Sequence, residues 1–209
     1  MKSNTWMTAT VAVLCIIGST GVTLAAPVMA LTLDGAPGWH NNFSNENVGF
    51  TFTTNEELYV THLGVFDYDG NGLSSYRVEV GIFGADGTLL GSEIVYSADP
   101  LDSGFRFAEV SEPFILADNT EYYAIAYLNS SEQVAAQSSI STDPNITFGT
   151  NVESYGGPFK FITSGLGSGW DAGFLGPNFK TIVTPEPASC LVLLAGGAVL
   201  VARRRGKRG

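Results

Sequence analysis

The chain has 209 residues, with 20 acidic against 10 basic side chains and a formal net charge of −10. Six of the bases, Lys2, Arg203, Arg204, Arg205, Lys207 and Arg208, lie in the two ends, so residues 31–183 hold four bases against nineteen acids and carry −15. A surface that acidic repels phosphate backbones, which excludes nucleic acid as a partner, and it favours solubility. Both cysteines, Cys15 and Cys190, also lie in the ends, so the middle has no disulfide, no thiol nucleophile and no thiolate metal site.

Residues 1–30 read as a secretion signal. Lys2 is followed by an apolar stretch, richest in Val11-Ala12-Val13-Leu14-Cys15-Ile16-Ile17, of the length that export machinery recognises. Small residues belong at −3 and −1 of the cut. Val28-Met29-Ala30 supplies them, which places signal-peptidase cleavage after Ala30. Ala26 is the poorer choice because Pro27 would follow the scissile bond. A retained N-terminal anchor is the competing reading.

Residues 31–183 are large enough to bury a core, and their pattern is β throughout. Val48, Phe50 and Phe52 alternate with polar or small residues at period two. Residues 58–66 form the next expected strand. Tyr76, Val78, Val80 and Ile82 alternate with Arg77 and Glu79, and Asp86-Gly87 marks a hairpin leading into a strand over 88–96. Further strands are expected over 105–110, over 122–128, where both faces are apolar and the strand should be central and covered, and over 159–163. Turn residues at 67–72, 85–87 and 117–119 punctuate them. No window reads as an amphipathic helix. The expected fold is all-β, an antiparallel two-sheet β-sandwich of jelly-roll-like type with eight to ten short strands.

Within this domain, Asp67-Tyr68-Asp69-Gly70-Asn71-Gly72 opens like a calcium loop: Asp67, Asp69 and Asn71 put oxygens at positions one, three and five, and glycine stands at six. An EF-hand also needs a bidentate Glu at position twelve, where Val78 stands, so that reading fails. A non-EF Ca2+ site and a plain Gly/Asn/Asp turn remain the alternatives, and the turn accounts for Gly70 and Gly72 without a metal. Trp39, Trp170, Tyr155 and Tyr68 occupy Gly-rich surroundings, where aromatic rings either stack on sugars or cap the ends of a sandwich core. His40 and His62 are the only histidines, and His62 reads as a satisfied core or edge residue. No nucleophile elbow, zinc-protease helix or phosphate-binding glycine loop is present. Two carboxylates would suffice for a glycosidase, but sequence does not say which acids face each other.

The composition changes at Thr184. Pro185-Glu186-Pro187 is stiff, residues 188–202 are fifteen without a charge, and Arg203-Arg204-Arg205-Gly206-Lys207-Arg208 closes the run. The apolar part is short against the roughly 20 residues of a membrane helix, although flanking arginines can snorkel. The basic cluster keeps that end in the cytoplasm and leaves the middle domain outside.

Pro-Glu-Pro, a short apolar helix and an arginine-rich end, in that order, resemble the PEP-CTERM sorting signal. The resemblance implies an exosortase-like membrane enzyme as partner, with Pro185, Glu186 and Pro187 as the recognition motif and Arg203, Arg204 and Arg205 as the stop. An ordinary C-terminal anchor after a Pro-rich linker is the alternative. The runs Leu63-Gly64-Val65-Phe66-Asp67, Val80-Gly81-Ile82-Phe83 and Gly87-Thr88-Leu89-Leu90 are similar to sandwich domains that accompany such tails.

Together these features predict a signal peptide (1–30), an acidic β-sandwich (31–183) and a sorting tail (184–209). The expected protein is exported, held in the membrane by the C-terminal helix before processing, and then placed on the cell surface or in the extracellular matrix of a biofilm. It is expected to be structural and not an enzyme. An extracellular carbohydrate-binding module, with polysaccharide as partner, is the alternative reading, and a glycoside hydrolase the third.

Overall fold

The alternating segments do fold as strands, and the reason is visible in which faces they bury. The computed structural model describes residues 26–35, 39–67, 69–130, 132–136, 139–165 and 175–183. Among these the strands are β1 (Val28–Met29), β2 (Leu31–Leu33), β3 (Trp39–Phe43), β4 (Glu46–Thr54), β5 (Leu58–Phe66), β6 (Arg77–Gly84), β7 (Leu89–Tyr96), β8 (Leu101–Asp102), β9 (Phe105–Leu116), β10 (Glu121–Leu128), β11 (Glu132–Ala136), β12 (Ile140–Thr142), β13 (Ile146–Tyr155) and β14 (Pro177–Val183). No helix occurs among the described residues.

Two five-stranded antiparallel sheets carry the fold, in the orders β13-β4-β10-β6-β7 and β1-β14-β5-β9-β8. Successive long strands mostly change sheet, and β6–β7 is a hairpin within one. The inner faces share a core: Phe50 and Phe52 of β4 meet Phe179 of β14 at ring-centroid distances of 6.5 and 4.8 Å, and all three rings are buried. This pairing of two faces is the arrangement of a β-sandwich. Two small ladders, β3–β11 and β2–β12, flank it.

Strand β10 lies between β4 and β6. Tyr122, Ala124, Ala126 and Leu128 enter the main core, while Ile125 enters a second cluster with Phe83, Val152 and Ile162 on the opposite face. Its apolar character on both faces is therefore accounted for. Gly49 of β4 lets the β10 backbone approach: a Cβ there would lie 2.1 Å from the Ala124 carbonyl oxygen. The Asp86-Gly87 hairpin forms as expected, with Gly87 at φ +84° and its N–H donating to the Gly84 carbonyl at 2.9 Å.

The expected strand over 159–163 is a correction: these residues run as irregular chain. Their rings, Phe159 and Phe161, pack against Phe83 at 5.3 and 5.7 Å and cover the second cluster. A side chain replaces the missing ladder, because Asn47 accepts from the Lys160 N–H (3.1 Å) and donates to the Pro158 carbonyl (3.2 Å). Apolar alternation marked a segment that packs on a sheet without joining it.

Irregularities concentrate in β5. Against β14 it pairs His62 with Lys180 and Val60 with Thr181, leaving Thr61 as an extra residue. Against β9 it pairs His62 with Glu109 and Val60 with Phe114, so residues 110–113 bulge out. Bulges re-aim side chains at the sheet surface, and this one sets the outer face of the β14-β5-β9 sheet.

Candidate functional site

Three polar regions stand out. The first is the loop after β5. Its Asp67 carboxylate is buried and does not stand open: Oδ2 accepts from Arg106 Nε at 2.5 Å and from the Gly72 N–H at 3.1 Å. Arg106 comes from β9, where it pairs with Val65 of β5. Its Nη2 donates to the Gly70 carbonyl and its Nη1 to the Asp99 carbonyl, each at 2.8 Å. Two loop oxygens, Asp67 Oδ2 and the Gly70 carbonyl, thus hold a guanidinium. The Asp69 carboxylate accepts from the Asn71 side-chain amide (2.6 Å) and backbone N–H (3.4 Å), an Asx turn. A small cavity of about 100 Å3 lies beside them, also lined by Glu132. That carboxylate accepts the N–H groups of Ser74 and Ser75. Among the described residues no group of three or more His, Cys, Asp or Glu is placed to hold a metal.

The second region joins the start of β4 to the end of β13, where Glu46 pairs with Tyr155 and Val48 with Glu153. Glu46 is 7 % exposed and its Oε2 has no hydrogen-bond partner. Burial first, and then the hydrogen bond and charge of Glu153, push its carboxyl up to about 7. Tyr155 is 75 % exposed, and the two acids raise its phenol above the ordinary value.

The third region is a groove of about 580 Å3 over the outer face of the β14-β5-β9 sheet, walled by β7. His62, Phe107, Glu109 and Lys180 line the sheet side, and Glu93 and Tyr96 the wall. The Phe107 ring fits because position 64 is glycine, where a Cβ would lie 2.4 Å from it. Lys180 Nζ sits 4.3 Å from the Phe107 ring centroid and bonds Asp102 at 2.8 Å. His62 Nδ1 bonds Thr61 Oγ1 at 2.9 Å. Burial and the Lys180 charge lower the His62 pKa, with Glu109 opposing them. Glu93 accepts the Ile94 N–H (3.2 Å) and the Ser111 N–H (3.3 Å), which fixes the wall to the bulged part of β9. Tyr96 meets Tyr76 edge-to-face at 5.9 Å, and Tyr76, at φ +67°, holds its ring 64 % exposed.

The residues singled out from sequence are therefore dispersed. Asp67, Asp69 and Asn71 share the loop, whereas Tyr155 stands on β13, in the other sheet. Trp39 lies in β3, paired with Ala136; Trp170 and Tyr68 lie outside the described residues. So do Pro185, Glu186, Pro187, Arg203, Arg204, Arg205, the apolar stretch 188–202 and the leader up to residue 25. Ala30 is buried, its N–H donates to the Phe179 carbonyl at 2.9 Å, and β1 just before it pairs with β14. Among the described residues no helix is long and apolar enough to cross a membrane. Sequence reading missed Arg106, Tyr76 and the His62 groove. Rarity could have flagged the first, since Arg106 is one of only four bases among nineteen acids in residues 31–183.

No curated protein matches the chain. Residues 183–208 match the family model of the PEP-CTERM protein-sorting motif, and that match supports an exported, surface-directed protein handled by an exosortase-type enzyme.

Proposed function

We propose that the chain is a non-enzymatic component of the cell surface or extracellular matrix, exported by its leader and delivered by its C-terminal motif. The motif match over 183–208 carries this reading. In it, Pro185, Glu186 and Pro187 are recognised, residues 188–202 hold the precursor in the membrane, and Arg203, Arg204 and Arg205 stop transfer. Replacing Pro185-Glu186-Pro187 by alanines is expected to leave unprocessed protein in the inner-membrane fraction. Normal maturation and surface delivery of that variant would reduce the tail to an anchor.

The leader has its own check. Cleavage after Ala30 would remove β1 and start the mature domain at buried Leu31. N-terminal sequencing of the secreted protein should give Leu31 first; a start at or before Val28 would mean that β1 stays in the fold.

A second reading, a module that binds extracellular polysaccharide, is supported by the open groove, by Tyr96 in its lining and by the exposed Tyr76 ring against Tyr96. For a hydrolase the same groove supplies Glu93 and Glu109, but both Glu93 oxygens are engaged by backbone N–H groups. That engagement favours binding over catalysis.

A further inference from the structure

Resting on the polysaccharide-binding reading, we infer that the groove between the outer face of β14-β5-β9 and strand β7 binds a neutral oligosaccharide, with Tyr76 and Tyr96 as its stacking platform. None of these groove residues belongs to the aromatic set that the sequence pointed to.

The first observation is Tyr76 itself. A non-glycine residue in the left-handed region costs about 1–2 kcal/mol, and Tyr76 sits there at φ +67°. A core role does not explain the residue, because its ring is 64 % exposed. The backbone is held by the Tyr76 N–H to the Leu73 carbonyl (3.0 Å) and by the Ser97 N–H to the Tyr76 carbonyl (2.9 Å). Glycine would satisfy both bonds without strain. What tyrosine adds is an aromatic surface against Tyr96, which lines the groove.

The second observation is the lining. A sugar presents apolar C–H faces and a rim of hydroxyls, so it needs rings beside acceptors and donors. The groove has that mixture. Glu109 is an exposed acceptor on the sheet side, and His62, with Nδ1 tied to Thr61, keeps Nε2 for a ligand. At about 580 Å3 the groove is the size of a site for a few sugar rings.

Charge selects among glycans. The groove's lysine is held by Asp102, and Glu93, Asp99 and Glu109 line the same space. The domain around it carries −15. Uronate or sulfate groups would meet repulsion there, so a neutral chain is the ligand class that fits.

The experiment uses the full chain in mild detergent and titrates it calorimetrically with cellohexaose, maltohexaose and mannohexaose, with alginate oligomers as the acidic comparison. Binding of at least one neutral hexaose, and none of alginate, is expected. Tyr76→Gly is the deciding variant because it relieves strain. Its melting temperature should equal or exceed the wild type's, while affinity falls about tenfold, the scale of one aromatic contact. Glu109→Gln should weaken binding, and Tyr155→Ala on the other sheet should leave it unchanged. If a hexaose binds but Tyr76→Gly and Glu109→Gln retain full affinity, the groove is not the site, although the module reading survives. If no glycan binds at all, both fall. Alginate binding in preference to the neutral chains would overturn the ligand class.

Discussion

Asp67 and Glu46 are both buried carboxylates near the ends of sheet strands, and the fold handles them in opposite ways. Asp67 meets the Arg106 guanidinium and a backbone N–H. Glu46 meets a second acid, Glu153, and keeps one oxygen without a partner. In a domain with four bases and nineteen acids most carboxylates must do without a cation, and Glu46 is one that does. Where a base is available the acid pairs with it and pins a loop. Where none is, burial and the neighbouring acid push the Glu46 carboxyl up to about 7, so its charge depends on pH near neutrality. Burial alone does not fix the charge state; the partner does.

The sharpest way to break this contrast is to remove the partner. Asp67→Asn would leave the Arg106 charge buried among carbonyl oxygens, and Arg106→Met would leave Asp67 uncompensated. Each should cost about 3–5 kcal/mol, read as a lower midpoint in urea unfolding. The double variant Asp67→Leu with Arg106→Met should recover much of that loss, because two matched apolar side chains avoid desolvation of charge. Single variants that lose less than about 1 kcal/mol would place the pair among surface ion pairs and dissolve the contrast.

The Glu46–Glu153 pair predicts a smaller effect with a definite direction. Folding raises the Glu46 carboxyl from 4.5 to about 7. The folded state therefore binds the proton more tightly than the unfolded chain does. That contribution is full below pH 4.5 and is lost as pH rises to 7. Stability should drop by about 1–2 kcal/mol between pH 5 and 8 from this pair, allowing for solvent screening. Glu46→Gln keeps a donor to Glu153 and cannot ionise, so it should flatten the slope and stabilise the domain at pH 8. Equal slopes for the wild type and variant would mean that Glu46 does not titrate in that range.

Much of the sheet framework was legible because it depends on local alternation. Residues 58–66 were bounded correctly as β5, and Asp86-Gly87 gave the hairpin. The segment 159–163 misled because alternation reports burial on one side, not hydrogen bonding to a neighbour. The bulge at Thr61 was invisible for another reason: it is defined by the register of three strands far apart in sequence. The groove inherits that opacity, since His62, Glu109 and Lys180 meet through the pairings of β14, β5 and β9, and Glu93 joins them from the other sheet. Tyr76 hid differently, because it extended a strand pattern that the backbone in fact breaks at that residue. The sorting motif was readable for the opposite reason, its parts being contiguous over 183–208.

The smallest expected effect concerns calcium at the loop 67–72, and it separates motif from geometry. The one-three-five spacing of Asp67, Asp69 and Asn71 suits a hard cation. In the fold, however, Asp67 Oδ2 and the Gly70 carbonyl already receive Arg106, and Asp69 closes on Asn71. A calcium ion would have to displace a guanidinium that makes three hydrogen bonds there. Millimolar calcium should still raise the melting temperature slightly, since any divalent ion screens a domain at −15. The informative variant is Asp69→Ala, which removes a potential ligand and leaves the Asp67–Arg106 pair intact. Wild type and variant should gain equally from calcium, and equally from magnesium. A calcium-specific gain lost in Asp69→Ala would show that the loop binds the ion beside the guanidinium. Saturating such a site a hundredfold would add about 2.7 kcal/mol, far above the screening effect, so the two outcomes are easily told apart.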